Sequence, residues 1–250
     1  MSNAADSIKL TWLENGVAVV ALEERESRNL FSEKFGHGIG QAFAAIAANP
    51  EARAVVVHGY DTYFSSGGTA GQLVDILEGR MLYTDFLFFD QLRRCEVPTI
   101  AAMQGHAIGG GMAFGMNADF VVLAEESIYC ANFMEYGFTP GMASTFTLPR
   151  KLGETLGWEM LFTAGRYRGS ELRERWPALQ VRKRVEVVPF AIEQARSFAN
   201  KPVRALKELK RRWLETTQAD FDLAVQREVA MHKITFALPE VQARIHQRQS

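Results

Sequence analysis

Two glycine-rich segments carry the residue types best suited to chemistry in this 250-residue sequence. The first is Tyr63-Phe64-Ser65-Ser66-Gly67-Gly68-Thr69, and the second is Gly105-His106-Ala107-Ile108-Gly109-Gly110-Gly111-Met112. Each lies between a short apolar run and a helical pattern. Glycine at such a strand-to-helix turn lets the backbone approach a ligand closely, and the free amides at a helix start face any negative oxygen. Two of these turns side by side would form an oxyanion hole, whereas either one alone reads equally well as a tight turn. Neither has the GxxxxGKS/T form of a phosphate-binding loop, and the second lacks GxGxxG spacing.

The flanking elements are those that could hold two such turns. Ile8 to Trp12 and Val17 to Leu22 read as a hairpin around Glu14-Asn15-Gly16. A helix is expected from the capping residue Ser32 to Ala48, ahead of Asn49-Pro50. Ala54 to His58 is a continuous apolar run, the pattern of a strand buried on both faces. The β-α-β order recurs with Thr99 to Met103 as strand, Gly110 to Asn117 as helix start and Phe120 to Leu123 as the next strand. A short helix is expected over Gln72 to Glu78, and helical patterns dominate from Ser144 onward. No internal repeat or low-complexity linker interrupts the progression, so a helical region, 199–250, is expected to pack on the core of residues 1–198 or on a neighbouring subunit.

Composition narrows the function classes. With 47% hydrophobic residues the chain can bury a sizeable core. A net charge of -1 with 23% charged residues argues against nucleic acid or an anionic membrane as the main partner. The two cysteines, Cys95 and Cys130, have no metal-type spacing and suit a reducing compartment. The opening residues show no basic segment followed by a long apolar one, and no stretch reaches the roughly 18 apolar residues of a membrane helix. A cytoplasmic protein without a metal is the expectation.

The loops and their flanks together resemble the crotonase (enoyl-CoA hydratase/isomerase) superfamily over nearly the whole chain. The resemblance rests on VVVHGYDTYFSSGG, VPTIAAMQGHAIGGGMAFGMNADFVVLAEES, GFTPGMASTFTLPRKLG and LFTAGRYRG, in that order. It implies an α/β fold, a spiral of ββα units with a helical C-terminal region, assembled as a trimer or a dimer of trimers. It also implies an acyl thioester of coenzyme A or acyl carrier protein as substrate, with the thioester carbonyl polarised by the backbone amides of Gly68 and Gly110. No further cofactor is expected. Hydratases of the family carry two glutamates, at positions that are Ala113 and Phe133 here. Neither residue can move a proton, so the addition of water to a double bond is not expected of this chain.

A narrower resemblance accounts for that loss. The run Ala131-Asn132-Phe133-Met134-Glu135-Tyr136-Gly137-Phe138-Thr139-Pro140-Gly141-Met142, the Gly67-Gly68-Thr69 triplet and MHKITF at Met231 to Phe236 look like the decarboxylating enoyl-CoA hydratase homologues of polyketide β-branching cassettes. The resemblance implies decarboxylation of a 3-methylglutaconyl-type group on acyl carrier protein through a dienolate. Met112, Ala113 and Phe133 would make the pocket dry, with Tyr83 and Tyr136 as further lining. A subfamily lysine corresponds to Arg80, after Gly79, and a histidine in the MH motif to His232. Arg80 would grip the distal carboxylate, or else simply end a helix in solvent with favourable dipole contacts. His232 shares an apolar helical face with Phe221, Val225, Val229 and Phe236, and reads either as a proton donor or carboxylate ligand, or as a packed, hydrogen-bonded histidine. His58 and His106 are expected to serve packing or backbone bonding.

Residues 201–250 hold ten Lys or Arg and six Asp or Glu, and Arg204, Lys207 and Arg211 share one helical face. That face is either an ordinary solvated one or a docking patch for an acidic carrier protein. The path from Glu171 to Val185 departs from the family pattern. Alternative functions are a glutamate-independent isomerase or thioesterase, and a non-catalytic scaffold that binds carrier protein.

Overall fold

The structure is a computed structural model and describes residues 7–247, so the ends of both expected regions lie outside the described residues. Ten strands follow in chain order: β1 (Ile8–Trp12), β2 (Val17–Leu22), β3 (Ala54–His58), β4 (Tyr63–Ser65), β5 (Thr99–Met103), β6 (His106–Ile108), β7 (Phe120–Ala124), β8 (Ile128–Cys130), β9 (Tyr167–Arg168) and β10 (Gln180–Arg182). One six-stranded sheet has the order β1-β2-β3-β5-β7-β10, and a four-stranded sheet the order β4-β6-β8-β9. Apart from the antiparallel pairs β1·β2 and β8·β9, the strands run parallel.

Three successive units share one plan. In each, the first strand (β3, β5 or β7) enters the large sheet and the second (β4, β6 or β8) enters the small one. A helix then follows: Ala70–Leu77, Gly110–Met116 or Phe133–Tyr136. This is the spiral of ββα units that the sequence led us to expect. The parallel register of β4, β6 and β8 brings their carboxyl ends together, so the turns that follow them converge. The large-sheet strands read as unbroken apolar runs because both faces are covered. One face meets the main core around Phe31, Phe35, Phe64 and Phe114. The other meets helix Arg184–Ala199 through Val187, Ala191, Ala195 and Ala199, spaced four apart along one stripe.

The hairpin and the expected strands β3, β5 and β7 form as read, and Ser32 caps helix Glu33–Ala48 by accepting from the Phe35 amide at 3.0 Å. The stretch left open by the sequence, 171–185, completes helix Gly169–Arg175 and then contributes β10 to the edge of the large sheet beside β7. The 33-residue helix Val203–Thr235, roughly 50 Å long at 1.5 Å per residue, folds back over the chain's own core and buries Phe221, Glu228 and His232 there. Helix Pro239–Gln247 packs against helices Ala70–Leu77 and Phe133–Tyr136. Among the described residues no helix is long and apolar enough to cross a membrane.

Candidate active site

The first glycine turn is held by a network that begins at Asn29. Its Nδ2 donates to the carbonyls of Leu22 (3.0 Å) and Phe64 (2.9 Å), and the Asn29 carbonyl accepts from Ser65 Oγ at 2.7 Å. Ser65 Oγ in turn accepts from the Gly67 amide at 3.2 Å, and the Phe31 amide donates to the Gly67 carbonyl at 2.8 Å. Thr69 and Gln72 form a reciprocal capping box at the start of helix Ala70–Leu77, with bonds of 3.1 and 2.9 Å. The box fixes the helix entry, and the turn before it, without using the Gly68 amide.

The second turn leaves β6 and enters helix Gly110–Met116, with the Gly109 amide tied to the Cys130 carbonyl at 2.7 Å. The two turns touch. Gly67 has φ +84, and a Cβ there would lie 2.7 Å from the Ile108 carbonyl oxygen and 3.0 Å from the Gly110 nitrogen, so only glycine fits. The Gly68 amide makes no loop or cap hydrogen bond, and Gly110, as the first residue of its helix, has no intrahelical acceptor. Both glycines line one cavity of about 90 Å³. Two unused amide donors at a narrow cavity are the arrangement that stabilises an oxyanion.

Phe31, Phe86, Phe133, Phe138 and Met142 form much of the rest of the wall, with Tyr83, Tyr136 and His232 as its titratable members. No Asp, Glu, Lys or Arg lines this cavity among the described residues. His232 packs edge-on against Tyr83 and Phe138, and its Nε2–H donates to the Thr139 carbonyl at 2.8 Å. Burial drives its pKa down to about 4 in spite of the bonds to backbone carbonyls, so the ring is neutral at pH 7. With Nε2 as the donor, Nδ1 carries the lone pair. The close fit requires Gly141, where a Cβ would sit 2.8 Å from His232 Cε1.

The structure brings Gly68, Gly110, Phe133, Tyr83, Tyr136 and His232 to one cavity, as the sequence led us to expect, and leaves three expected residues out. Arg80 does not reach it. Gly79, at φ +71, turns the chain, and the exposed guanidinium donates through Nε to Asp75 at 2.8 Å and also pairs with Glu78. Two nearby carboxylates in solvent hold it at the helix end. Met112 and Ala113 are fully buried behind the wall rather than in it, in the main core, and Phe31 and Met142 crowd the space beside Gly110. Of the basic face on the long helix, Lys207 pairs with Glu96 at 2.8 Å and Arg211 with Glu208. Arg211 lies 21 residues before His232, roughly 30 Å away along the axis, so this face is remote from the cavity.

One residue missed by sequence reasoning is Glu228. It is fully buried, and its carboxylate accepts from the amides of Ala143 (2.7 Å) and Thr145 (2.8 Å), from Thr145 Oγ1 (2.7 Å) and from Tyr83 Oη (3.0 Å). It thereby binds the start of helix Ser144–Leu152, holds Met142 and Ala143 in left-handed backbone, and anchors Tyr83 behind the cavity. Burial pushes its pKa up to about 7 against four donors that favour the carboxylate. The signal was present in the sequence: Glu228 lies four residues before His232 on the same apolar stripe, where an unpaired carboxylate would be costly.

The fold and the paired amides define a crotonase-type acyl-binding protein, and the chain belongs to the enoyl-CoA hydratase/isomerase family, whose profile it matches over residues 13–247. Among its relatives is the bacillaene synthase decarboxylase PksI of Bacillus subtilis (strain 168), 42% identical over 95% of this chain and 96% of that one. Among solved structures, it resembles that of a dehydratase/decarboxylase enzyme couple involved in polyketide β-branching, with a TM-score of 0.93 and 41% identity over 96% of this chain and 98% of that one. It also resembles the ECH2 decarboxylase domain of CurF from Lyngbya majuscula, with a TM-score of 0.92 and 38% identity over 98% of this chain and all of that one, 100%.

Proposed function

We propose that this chain is a decarboxylase of polyketide β-branching, acting on a 3-methylglutaconyl-type acyl thioester carried on the phosphopantetheine of acyl carrier protein. The observation that carries the reading is a cavity that, among the described residues, has two unused amide donors and no charged side chain in its lining. Its relatives bearing decarboxylase names support the class of reaction.

In this reading the thioester oxygen sits between the Gly68 and Gly110 amides. The bond to the distal carboxyl carbon breaks, carbon dioxide leaves, and the electron pair moves through the double bond into the thioester carbonyl. The resulting dienolate oxygen is held by the two amides. A proton taken from solvent water then adds to the dienolate carbon and leaves hydroxide to the bulk. No metal or cofactor is called for, because the electrons move within the substrate. The aromatic wall removes the carboxylate from water and so favours its loss. Arg80 makes no grip on it, whereas the neutral ring of His232 and the aromatic ring of Tyr83 shape the slot. Water need not be activated, consistent with Ala113 and Phe133 at the positions of the family glutamates.

Intact-protein mass spectrometry of carrier protein loaded with 3-methylglutaconyl thioester tests the reading. The loaded carrier is expected to lose the mass of carbon dioxide when the protein is added. An unchanged mass, on a substrate that an active relative converts, would sink the proposal; isomerisation would leave the mass intact, and thioester hydrolysis would remove the whole acyl group.

A further inference from the structure

The carboxylate that the proposed reaction expels meets no charged partner in the acyl cavity, whose lining holds no charged side chain among the described residues. Arg93, Arg150 and Lys151 gather instead around Asp119 at a second cavity, of about 280 Å³, at the far end of helix Gly110–Met116. A carboxylate taken out of water is costly unless it accepts hydrogen bonds, so a neutral donor in the lining has to meet it. Much of the polar lining is already committed. Gln72 donates through Nε2 to the Phe31 carbonyl and accepts from the Thr69 amide at 2.9 Å. Tyr83 Oη donates to Glu228 at 3.0 Å. The one ring N–H of His232 goes to the Thr139 carbonyl, and its other nitrogen presents a lone pair, which a carboxylate avoids. Among the described residues the side chains of Ser66 and Asn132, both in the lining, make no hydrogen bond.

Asn132 is the better equipped of the two, because its amide carries two N–H donors against the single O–H of Ser66. It immediately precedes helix Phe133–Tyr136, where an asparagine side chain ordinarily caps the first turn. Here the side chain makes no cap, and only the Asn132 backbone carbonyl serves, accepting from the Glu135 amide at 3.2 Å. The side chain turns instead to the second glycine turn, so that a Cβ on Gly109 would lie 2.5 Å from Asn132 Oδ1. Gly109, at φ +55, leaves that room. With Oδ1 against Gly109, Nδ2 remains unspent beside the residue that precedes the Gly110 amide. The thioester oxygen has its two donors in Gly68 and Gly110. The carboxylate, a few bonds away on the same acyl group, has none.

We propose that Asn132 Nδ2 donates to the substrate carboxylate and so selects acyl groups that carry one. The inference rests on the decarboxylase reading of this cavity. A neutral amide gives the carboxylate a hydrogen bond for binding without the full opposite charge that would steady it against loss. As carbon dioxide forms, the negative charge moves from the Asn132 end of the acyl group to the thioester oxygen, where the two glycine amides take it up.

Calorimetric titration of the full chain with two pantetheine thioesters tests it. The 3-methylglutaryl thioester has the carboxylate but no double bond to take up electrons, so it binds without turnover. The isovaleryl thioester is the same molecule without the carboxylate. Asn132→Leu is expected to weaken binding of the first about 10- to 100-fold and to leave the second within about twofold of wild type. Asn132→Asp keeps the shape of the side chain and sets one carboxylate against another; it is expected to weaken the first at least as much, and serves if the leucine variant does not fold. Equal weakening of both thioesters, the mark of a structural role, overturns the proposal, as does an unchanged affinity for the first or a wild type that does not bind it. If the selective loss appears while loaded carrier protein releases no carbon dioxide, the contact stands and the decarboxylase reading falls. Release of carbon dioxide without the selective loss leaves that reading standing and removes Asn132 from it.

Discussion

Helix Gly110–Met116 has a different environment at each end, and the two ends show two ways of handling negative charge. At its start the acyl cavity offers backbone amides in a largely aromatic wall, with no charged side chain lining it among the described residues. At its end the second cavity offers two guanidiniums and an ammonium. Fixed dipoles in a dry site stabilise charge that develops during a reaction and need no reorganisation. Full cations hold charge that is already present. A cation in the acyl cavity would steady the substrate carboxylate in the ground state, which opposes its loss. The placement of Arg80 outside, paired with Asp75 and Glu78, therefore fits the chemistry better than the grip expected from sequence.

The comparison can be broken most sharply at Gly68. Replacing it with proline deletes one of the two amide donors, and kcat is expected to fall roughly 100- to 1000-fold, about 2.7 to 4 kcal/mol. Retained secondary structure by circular dichroism would assign the loss to the missing donor. A loss under tenfold would mean that the amides are not the source of the catalysis.

The next largest effect concerns pH. His232 is neutral in the fold, with a pKa of about 4, whereas the unfolded chain takes up a proton near pH 6.5. Its contribution to stability is thus present above pH 6.5 and lost as pH falls towards 4. Glu228 has the opposite sign. Its folded pKa of about 7 lies above the unfolded carboxyl value, so its contribution is present below about pH 4.3 and lost as pH rises through 7. Each shift corresponds to about 3 kcal/mol at 1.36 kcal/mol per pKa unit. In urea titrations the two nearly cancel across the shared window in the wild type. His232→Gln should then leave stability falling as pH rises from 5 to 7, and a flat profile in that variant would contradict the assignment.

Glu228→Ala strands the amides of Ala143 and Thr145 and the hydroxyls of Thr145 and Tyr83 at one buried point. A destabilisation of about 2 to 3 kcal/mol is expected at pH 7, read from the urea midpoint. A rise in KM is expected to accompany it as Tyr83 and Met142 relax. Smallest of all is Arg80→Ala, since exposed ion pairs contribute about 0 to 1 kcal/mol. Turnover within twofold of wild type is expected, and a tenfold drop would show that Arg80 leaves Asp75 and Glu78 for the substrate.

The large sheet was legible because its strands are long enough to show a pattern. Ala54–His58 and Thr99–Met103 are unbroken apolar runs whose limits agree between sequence and structure. The small sheet was not. Its strands β4, β6 and β8 are three residues long and lie within or beside the glycine turns, where no period can be seen and their stability comes from parallel neighbours. The site was legible where backbone mattered, at the two glycine turns, because Gly67, at φ +84, and Gly110, where a Cβ would lie 2.7 Å from the Phe31 ring, leave no room for a side chain. It was poorly legible where side-chain direction mattered. Met112 and Ala113 were placed in the lining, and Arg80 either on the substrate carboxylate or in solvent at a helix end, by resemblance to family positions, and resemblance does not say that two carboxylates hold Arg80 outside or that Met112 faces the core.

The sequence by itself determined the ββα order, the two glycine turns and the absence of both hydratase glutamates, since each is a matter of residue type at a local position. Only the tertiary structure decided that no charged side chain lines the acyl cavity among the described residues, that Glu228 fastens Tyr83 to the start of helix Ser144–Leu152, and that Arg93, Arg150 and Lys151 gather around Asp119 at a second cavity. These depend on groups far apart in the chain: Glu228 lies 85 residues from Ala143, and Lys210 lies 91 from Asp119. The free energy of a buried charge is set by the neighbours that the fold brings to it, and no local pattern in the sequence carries that information.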